Sequence, residues 1–210
     1  GLIANNGKRF PRKTVIQKFK QVDVREVVQR DLTLRYDTDS GYLGYEVKTG
    51  TELFQVTPFD KILIVRRGAD YFVTKAPEKL FVDKGMLACI MADKELLTNT
   101  VFSVVYLDGT NGCAYLKRCR IEQFIMEKTY LLIPEGCSVL ALTTEENVKI
   151  ILHYAPKPKM KTTVEEFRVS DFAVKGLKAA GVRLSSKPAE SAEIVTVEKQ
   201  KRKNGKTSAT

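Results

Sequence analysis

The feature that most limits what this chain can fold into is a spacing. A glycine followed by a β-rich run recurs as Gly44-Tyr45-Glu46-Val47, Gly85-Met86-Leu87-Ala88, Gly136-Cys137-Ser138-Val139 and Gly181-Val182-Arg183-Leu184, at intervals of 41, 51 and 45 residues. A repeat of that length holds about four short strands, which is the arithmetic of a propeller blade. Each such unit buries its faces only against its neighbours, so several must stack. The first unit begins mid-repeat and the last ends just after its glycine run. The two chain ends are therefore expected to complete one blade together.

Between the glycines lie hairpin signals. Ile62–Val65 and Tyr71–Thr74 flank Arg66-Arg67-Gly68-Ala69-Asp70. Phe102–Leu107 and Cys113–Leu116 flank Asp108-Gly109-Thr110-Asn111-Gly112, whose Asp-Gly and Asn-Gly pairs tolerate the positive φ that tight turns need. Val139–Leu142 and Val148–Leu152 flank Thr143–Asn147 and read as a third hairpin. Leu2–Ala4 and Val15-Ile16 flank Asn5–Lys8 and read as a fourth. Helical periodicity is scarce: Lys79–Val82 and Val174–Ala180 fit single turns at most. Ser185–Ser191 reads as a linker, and Ile194–Val197 as one closing strand. The expectation is an all-β domain over residues 1–197, followed by a disordered basic tail over 198–210, where little can be buried.

With 43% hydrophobic residues in 210, the chain can bury a core. No run approaches the roughly 18 apolar residues that a spanning helix needs. The start has neither the apolar region of a signal peptide nor an initiator Met, and the chain reads as a cytoplasmic fragment. The net charge of +10 points to a polyanionic partner, and its distribution sharpens that. Residues 1–30 carry 8 basic and 2 acidic side chains, whereas residues 31–150 carry 14 and 17. Residues 151–198 carry 8 and 6, and residues 199–210 carry 5 and 0. The excess is concentrated at the ends.

Chemistry-bearing motifs are few. Cys89, Cys113, Cys119 and Cys137 have no C-x-x-C spacing and read as buried small hydrophobes in a reducing compartment. His153 is the one histidine, which leaves nucleophilic triads no choice of partner and weighs against hydrolase chemistry. Gly1 to Gly7-Lys8 fails as a phosphate loop, since its spacing is wrong and Arg9 stands where Ser or Thr should be. Asp37-Thr38-Asp39-Ser40-Gly41 fails as a calcium loop and reads as a turn. Thr144-Glu145-Glu146 is an acidic loop tip without a partner for acid–base work. No catalytic or metal-ligating residues are assigned.

Basic residues interleaved with strands are more informative. Lys8, Arg9, Arg12 and Lys13 surround the first hairpin, and Arg66 and Arg67 sit at a hairpin tip. In Tyr115-Leu116-Lys117-Arg118-Cys119-Arg120, strand alternation places Lys117 on one face and Arg118 with Arg120 on the other. Lys175, Lys178 and Arg183 lie near the last glycine run, and Lys201, Arg202 and Lys203 in the tail. Such groups at blade edges suit phosphate contacts without base reading.

Gly41-Tyr42-Leu43-Gly44-Tyr45, Asp60–Val65, Val104–Gly109 and Ala114–Arg118 follow one another in an order that resembles the C-terminal domain of the A subunit of bacterial type IIA topoisomerases, in its topoisomerase IV form. The resemblance spans about residues 7–184 and rests on order and spacing. It implies a β-pinwheel of about four blades whose basic rim binds and bends duplex DNA, with Tyr115–Arg118, the blade tips and Lys175–Arg183 facing that DNA. It implies partnership with the rest of the A subunit and with the ATPase B subunit in a heterotetramer at the nucleoid. The catalytic tyrosine, ATP and magnesium would belong elsewhere in that enzyme, so this chain alone needs no cofactor and should not cleave DNA. Gyrase A subunits carry a Gln-Arg-Arg-Gly-Gly-Lys-Gly box. Here Arg66-Arg67-Gly68 is followed by Ala69-Asp70, which favours decatenation and relaxation over supercoiling. The rival expectations are a propeller-type protein-interaction module and a gyrase-type domain.

Overall fold

The computed structural model describes residues 31–156 and 163–197. These form fifteen strands, β1–β15, one short helix and one 3-10 turn. The strands make four antiparallel sheets in chain order.

Each sheet grows from a hydrogen-bonded pair of strands. In the first sheet, β1 (Leu32–Asp37) and β2 (Tyr42–Gly44) are joined at the Asp37–Gly41 turn, and β3 (Thr51–Val56) pairs with β1. Asp37 organises that turn. Its carboxylate accepts from the Ser40 and Thr49 hydroxyls, both at 2.8 Å, and Gly41 has φ +76°. In the second sheet the pair is β4 (Lys61–Val65) with β5 (Asp70–Lys75). In the third it is β8 (Phe102–Leu107) with β9 (Cys113–Cys119). Both hairpins follow the sequence expectation. At the β8–β9 tip the Asp108 carboxylate accepts from the Thr110 N–H at 2.8 Å, and Gly112 takes φ +66°. In the fourth sheet β12 (Val148–His153) pairs with β13 (Val164–Arg168).

The remaining strands are exchanged between neighbours. After β5, the chain returns to the first sheet as β6 (Leu80–Phe81) beside β2, then rejoins the second as β7 (Ala88–Met91) beside β4. After β9 it repeats the move, with β10 (Tyr130–Leu131) beside β5 and β11 (Ser138–Thr143) beside β8. After β13 it does so again, with β14 (Val182–Pro188) beside β9 and β15 (Ser191–Thr196) beside β12. The fourth sheet has the order β13-β12-β15, one strand fewer than the others among the described residues.

This exchange corrects three expectations. Val139–Leu142 and Val148–Leu152 are no hairpin, because β11 and β12 belong to different sheets and the loop between them crosses from one to the next. Two adjacent apolar runs look alike in sequence whether they pair with each other or with distant strands. Lys79–Val82 contains the strand β6 and not a helical turn. Ser185–Ser191 is not a linker, since β14 runs to Pro188 and β15 begins at Ser191. The helix that does form, α1 (Lys94–Asn99), has no counterpart among the sequence expectations. Asp93 caps it, its side chain accepting from the Glu95 N–H at 2.9 Å. The closing strand at Ile194 is present within β15. The hairpin at Leu2–Ile16, the shared blade of the two ends and the basic tail lie outside the described residues.

Three apolar cores hold the sheets together, one for each successive pair. Leu34 and Leu43 of the first sheet pack with Ile62 and Ile64 of the second. Leu63 and Tyr71 of the second pack with Phe102 and Val104 of the third. Val105 and Leu116 of the third pack with Ile150 and Leu152 of the fourth. Alternate residues of one strand thus serve two cores, which is why the central strands read as continuous apolar runs. Close backbone approach fixes the exchanges. A Cβ on Gly44 would lie 2.0 Å from the Glu78 carbonyl oxygen, and one on Gly109 would lie 2.1 Å from that of Gly136.

Candidate nucleic-acid interface and seam groove

The third sheet carries the site. Beyond β9 the chain runs through residues 120–134 to reach β10 in the second sheet, and after the 3-10 turn at Val169–Asp171 it passes through 174–180 on the way to β14. These two segments flank a groove of about 1220 Å³ at the seam between the second and third sheets. The second segment is pinned to β9: the Lys175 N–H donates to the Arg118 carbonyl at 2.8 Å, beside a parallel bridge from Cys119 to Lys175. The Ala179 N–H donates to the Gly176 carbonyl at 2.9 Å and closes a turn there, but Lys175 sits in a β-bridge and Val174–Ala180 is not the helical turn expected. Gly181 comes so near Tyr106 that its N–H donates to the phenol oxygen at 3.2 Å.

Four of the basic residues singled out in the sequence converge on this groove: Lys117, Arg120, Lys175 and Lys178. Arg120, Lys175 and Lys178 are exposed. Glu122 is the one carboxylate among the lining residues. The remaining lining is largely apolar, with Phe124, Ile125, Leu131 and Leu177 prominent.

Lys117 and Arg118 correct the expectation that their strand faces a partner with free cations. They are only 5% and 7% exposed. Strand alternation does send them to opposite faces, but each face of β9 is covered. The Lys117 ammonium donates to the Leu177 carbonyl at 2.6 Å. Burial lowers its pKa from the usual lysine range, since desolvation disfavours the charged form. Arg118 donates to the Phe172 carbonyl at 2.5 Å and to Glu146 at 3.3 Å. These cations are occupied in holding loops that lie 28 to 60 residues away in sequence.

The other sequence-marked cations are scattered. Arg66 is held at the β4–β5 tip by an ion pair with Asp70, its Nε donating at 2.6 Å, and lies 5.2 Å over the Phe72 ring. Arg67 beside it is exposed, and its aliphatic stem packs on Gly85. Arg183 on β14 donates to Cys113 Sγ at 2.9 Å and to the Ser185 carbonyl at 3.1 Å. Lys8, Arg9, Arg12, Lys13, Lys201, Arg202 and Lys203 lie outside the described residues.

All four thiols are free; Cys113 and Cys119 are buried as expected, whereas Cys89 and Cys137 are only half-buried, and desolvation pushes Cys89 up to about 12 and raises Cys119. His153 Nε2 lies 3.6 Å from Glu193 on the neighbouring strand. Tyrosines stack on one another, Tyr106 on Tyr115 and Tyr71 on Tyr130, with centroids 5.6 and 5.3 Å apart. The apolar members of the groove are absent from the sequence expectations. The run Phe124-Ile125-Met126 is the available signal, but it lacks strand or helix periodicity.

The family model for the topoisomerase C-terminal domain of Bacteroidota matches residues 33–202. The chain belongs to this family of bacterial topoisomerase C-terminal domains. It is also 26% identical over 187 residues to the A subunit of DNA topoisomerase 4 from Borreliella burgdorferi, an alignment covering 88% of this chain and 28% of that protein. The chain thus spans about a quarter of that relative's length, and it is the C-terminal domain of the A subunit of a bacterial type IIA topoisomerase.

Proposed function

We propose that this domain binds and bends duplex DNA for a topoisomerase IV-like enzyme, presenting the duplex for strand passage in decatenation and relaxation. The observation that carries this reading is the convergence of exposed Arg120, Lys175 and Lys178 on one seam of a topoisomerase C-terminal domain. Arg67 and Arg183 extend the contact along the sheet edges, and Lys8, Arg9, Arg12, Lys13, Lys201, Arg202 and Lys203 in the two basic ends of the sequence add further phosphate contacts. Flexible ammonium and guanidinium groups at such edges meet phosphates without reading bases. The sheets form a β-pinwheel, and a curved row of contacts along it rewards a bent duplex. The missing gyrase-type box, with Ala69-Asp70 after Arg66-Arg67-Gly68, supports the topoisomerase IV-like assignment over the supercoiling one.

In this reading the chain works with the rest of the A subunit and with the ATPase B subunit in a heterotetramer at the nucleoid. Cleavage, ATP and magnesium belong to those other parts. A gel-shift titration with relaxed and pre-bent duplex at two salt concentrations tests it. Binding should prefer the bent duplex and weaken steeply with salt, because each phosphate contact releases counterions. An affinity that stays flat between the two salts would refute the reading.

A further inference from the structure

The seam groove has a second character that phosphate binding does not use. Its lining is mostly apolar, and Ile125 and Leu131 are 62% and 45% exposed, among the most exposed large hydrophobic residues described. A DNA backbone gains nothing from such surface, whereas contiguous apolar patches rimmed by charge mark protein-docking sites. Beneath that surface stands Lys117. Its one hydrogen bond among the described residues goes to the Leu177 carbonyl, so two of its three N–H donors are unused. A carboxylate placed there would meet a desolvated ammonium, where a charge-assisted hydrogen bond is strong. Arg120, Lys175 and Lys178 add positive charge around the mouth against the single carboxylate of Glu122. The volume, about 1220 Å³, exceeds the roughly 300–1,000 Å³ usual for a small-molecule pocket and admits several side chains. Tyr130 and Leu131 line it from β10, which among the described residues is the outermost strand of its sheet and there offers edge backbone groups to an extended chain.

We propose that this groove docks an extended segment of a partner protein in which carboxylates stand beside large aliphatic or aromatic side chains. The apolar side chains of that segment cover Ile125, Leu131 and Leu177, and a carboxylate reaches Lys117. DNA and the docked segment then share the outer cations Lys175 and Lys178 but not the floor.

Fluorescence anisotropy on the full 210-residue chain tests this with three labelled probes. They are a short synthetic peptide alternating glutamate with leucine, its glutamine-for-glutamate counterpart and a DNA duplex. The glutamate peptide should bind at least about tenfold more tightly than the glutamine one. The exposed pair Ile125→Ser and Leu131→Ser should weaken the glutamate peptide about tenfold and leave the duplex within about twofold. Arg67→Ala should weaken the duplex about threefold and leave the peptide unchanged. Equal binding of the two peptides would overturn the proposal. So would a parallel loss of duplex affinity in the Ile125 and Leu131 variant, which would give the floor to DNA. A dimer in sedimentation that the same variant dissociates would also overturn it, in favour of a second copy of this chain. A protein that fails to bind duplex but takes the glutamate peptide would sink the DNA reading alone.

Discussion

The cations of β9 and the cations of the loop laid across it lie within a few residues of one another in space but do opposite work. Lys117 and Arg118 are buried and donate to loop carbonyls, whereas Lys175 and Lys178 are exposed to solvent. The covering loop makes the difference. It takes the strand's positive charge for its own anchoring and offers fresh positive charge outside. A basic residue in the sequence is thus presented to a DNA backbone only if it is not buried against a distant loop.

Arg118→Ala is the largest perturbation of this contrast. It removes a buried, hydrogen-bonded guanidinium and should lower unfolding free energy by about 3 kcal/mol. Urea denaturation measures this, and duplex affinity should hold wherever the variant remains folded. A wild-type melt with weakened DNA binding would erase the distinction between the two groups. Replacing Arg120, Lys175 and Lys178 together by Ala should do the opposite. Duplex affinity should fall about tenfold or more, and the salt slope should shrink by roughly one for each phosphate no longer neutralised. The unfolding free energy should stay within about 0.5 kcal/mol of wild type.

A smaller effect separates Arg67 from Arg66. Arg67→Ala should weaken duplex binding by about threefold, the scale of one exposed contact. Arg66→Ala should leave it nearly unchanged, because Asp70 already holds that guanidinium. Equal losses in gel shifts would show that the ion pair opens when DNA arrives.

The smallest effect is a pH dependence. Burial lowers the Lys117 pKa below 10.5. Below pH 10.5 the unfolded chain holds this proton more fully than the folded protein does. Stability contributed through this group therefore rises with pH across that window. Cys89 and Tyr154, both pushed up to about 12 by desolvation, act in the opposite direction, so the comparison must be a difference. The unfolding free energy of wild type minus that of Lys117→Met should climb as pH rises towards 10.5, read from urea melts at stepped pH. A flat difference would mean that the ammonium is better solvated than its surroundings imply.

The all-β class and two of the hairpins are legible in the sequence because their signals are local. Asp108-Gly109 and Asn111-Gly112 dictate a tight turn, and apolar runs on either side dictate strands. The β11–β12 pairing misleads because an apolar run carries no address: Val139–Leu142 looks ready for Val148–Leu152, yet its ladder goes to β8. The basic half of the site is visible as a set of residue types. Its apolar half is not, since Ile125 and Leu131 come together only when the 120–134 segment crosses from the third sheet back to the second.

By itself the sequence determined the all-β class, the repeat spacing and where the charge lies along the chain, because propensity, turn chemistry and composition act over a few residues. The tertiary structure alone decided which sheet each exchanged strand joined, which cations remained free and that a groove opened at the seam. Those depend on hydrogen bonds and burial between segments tens of residues apart, and no local pattern encodes them.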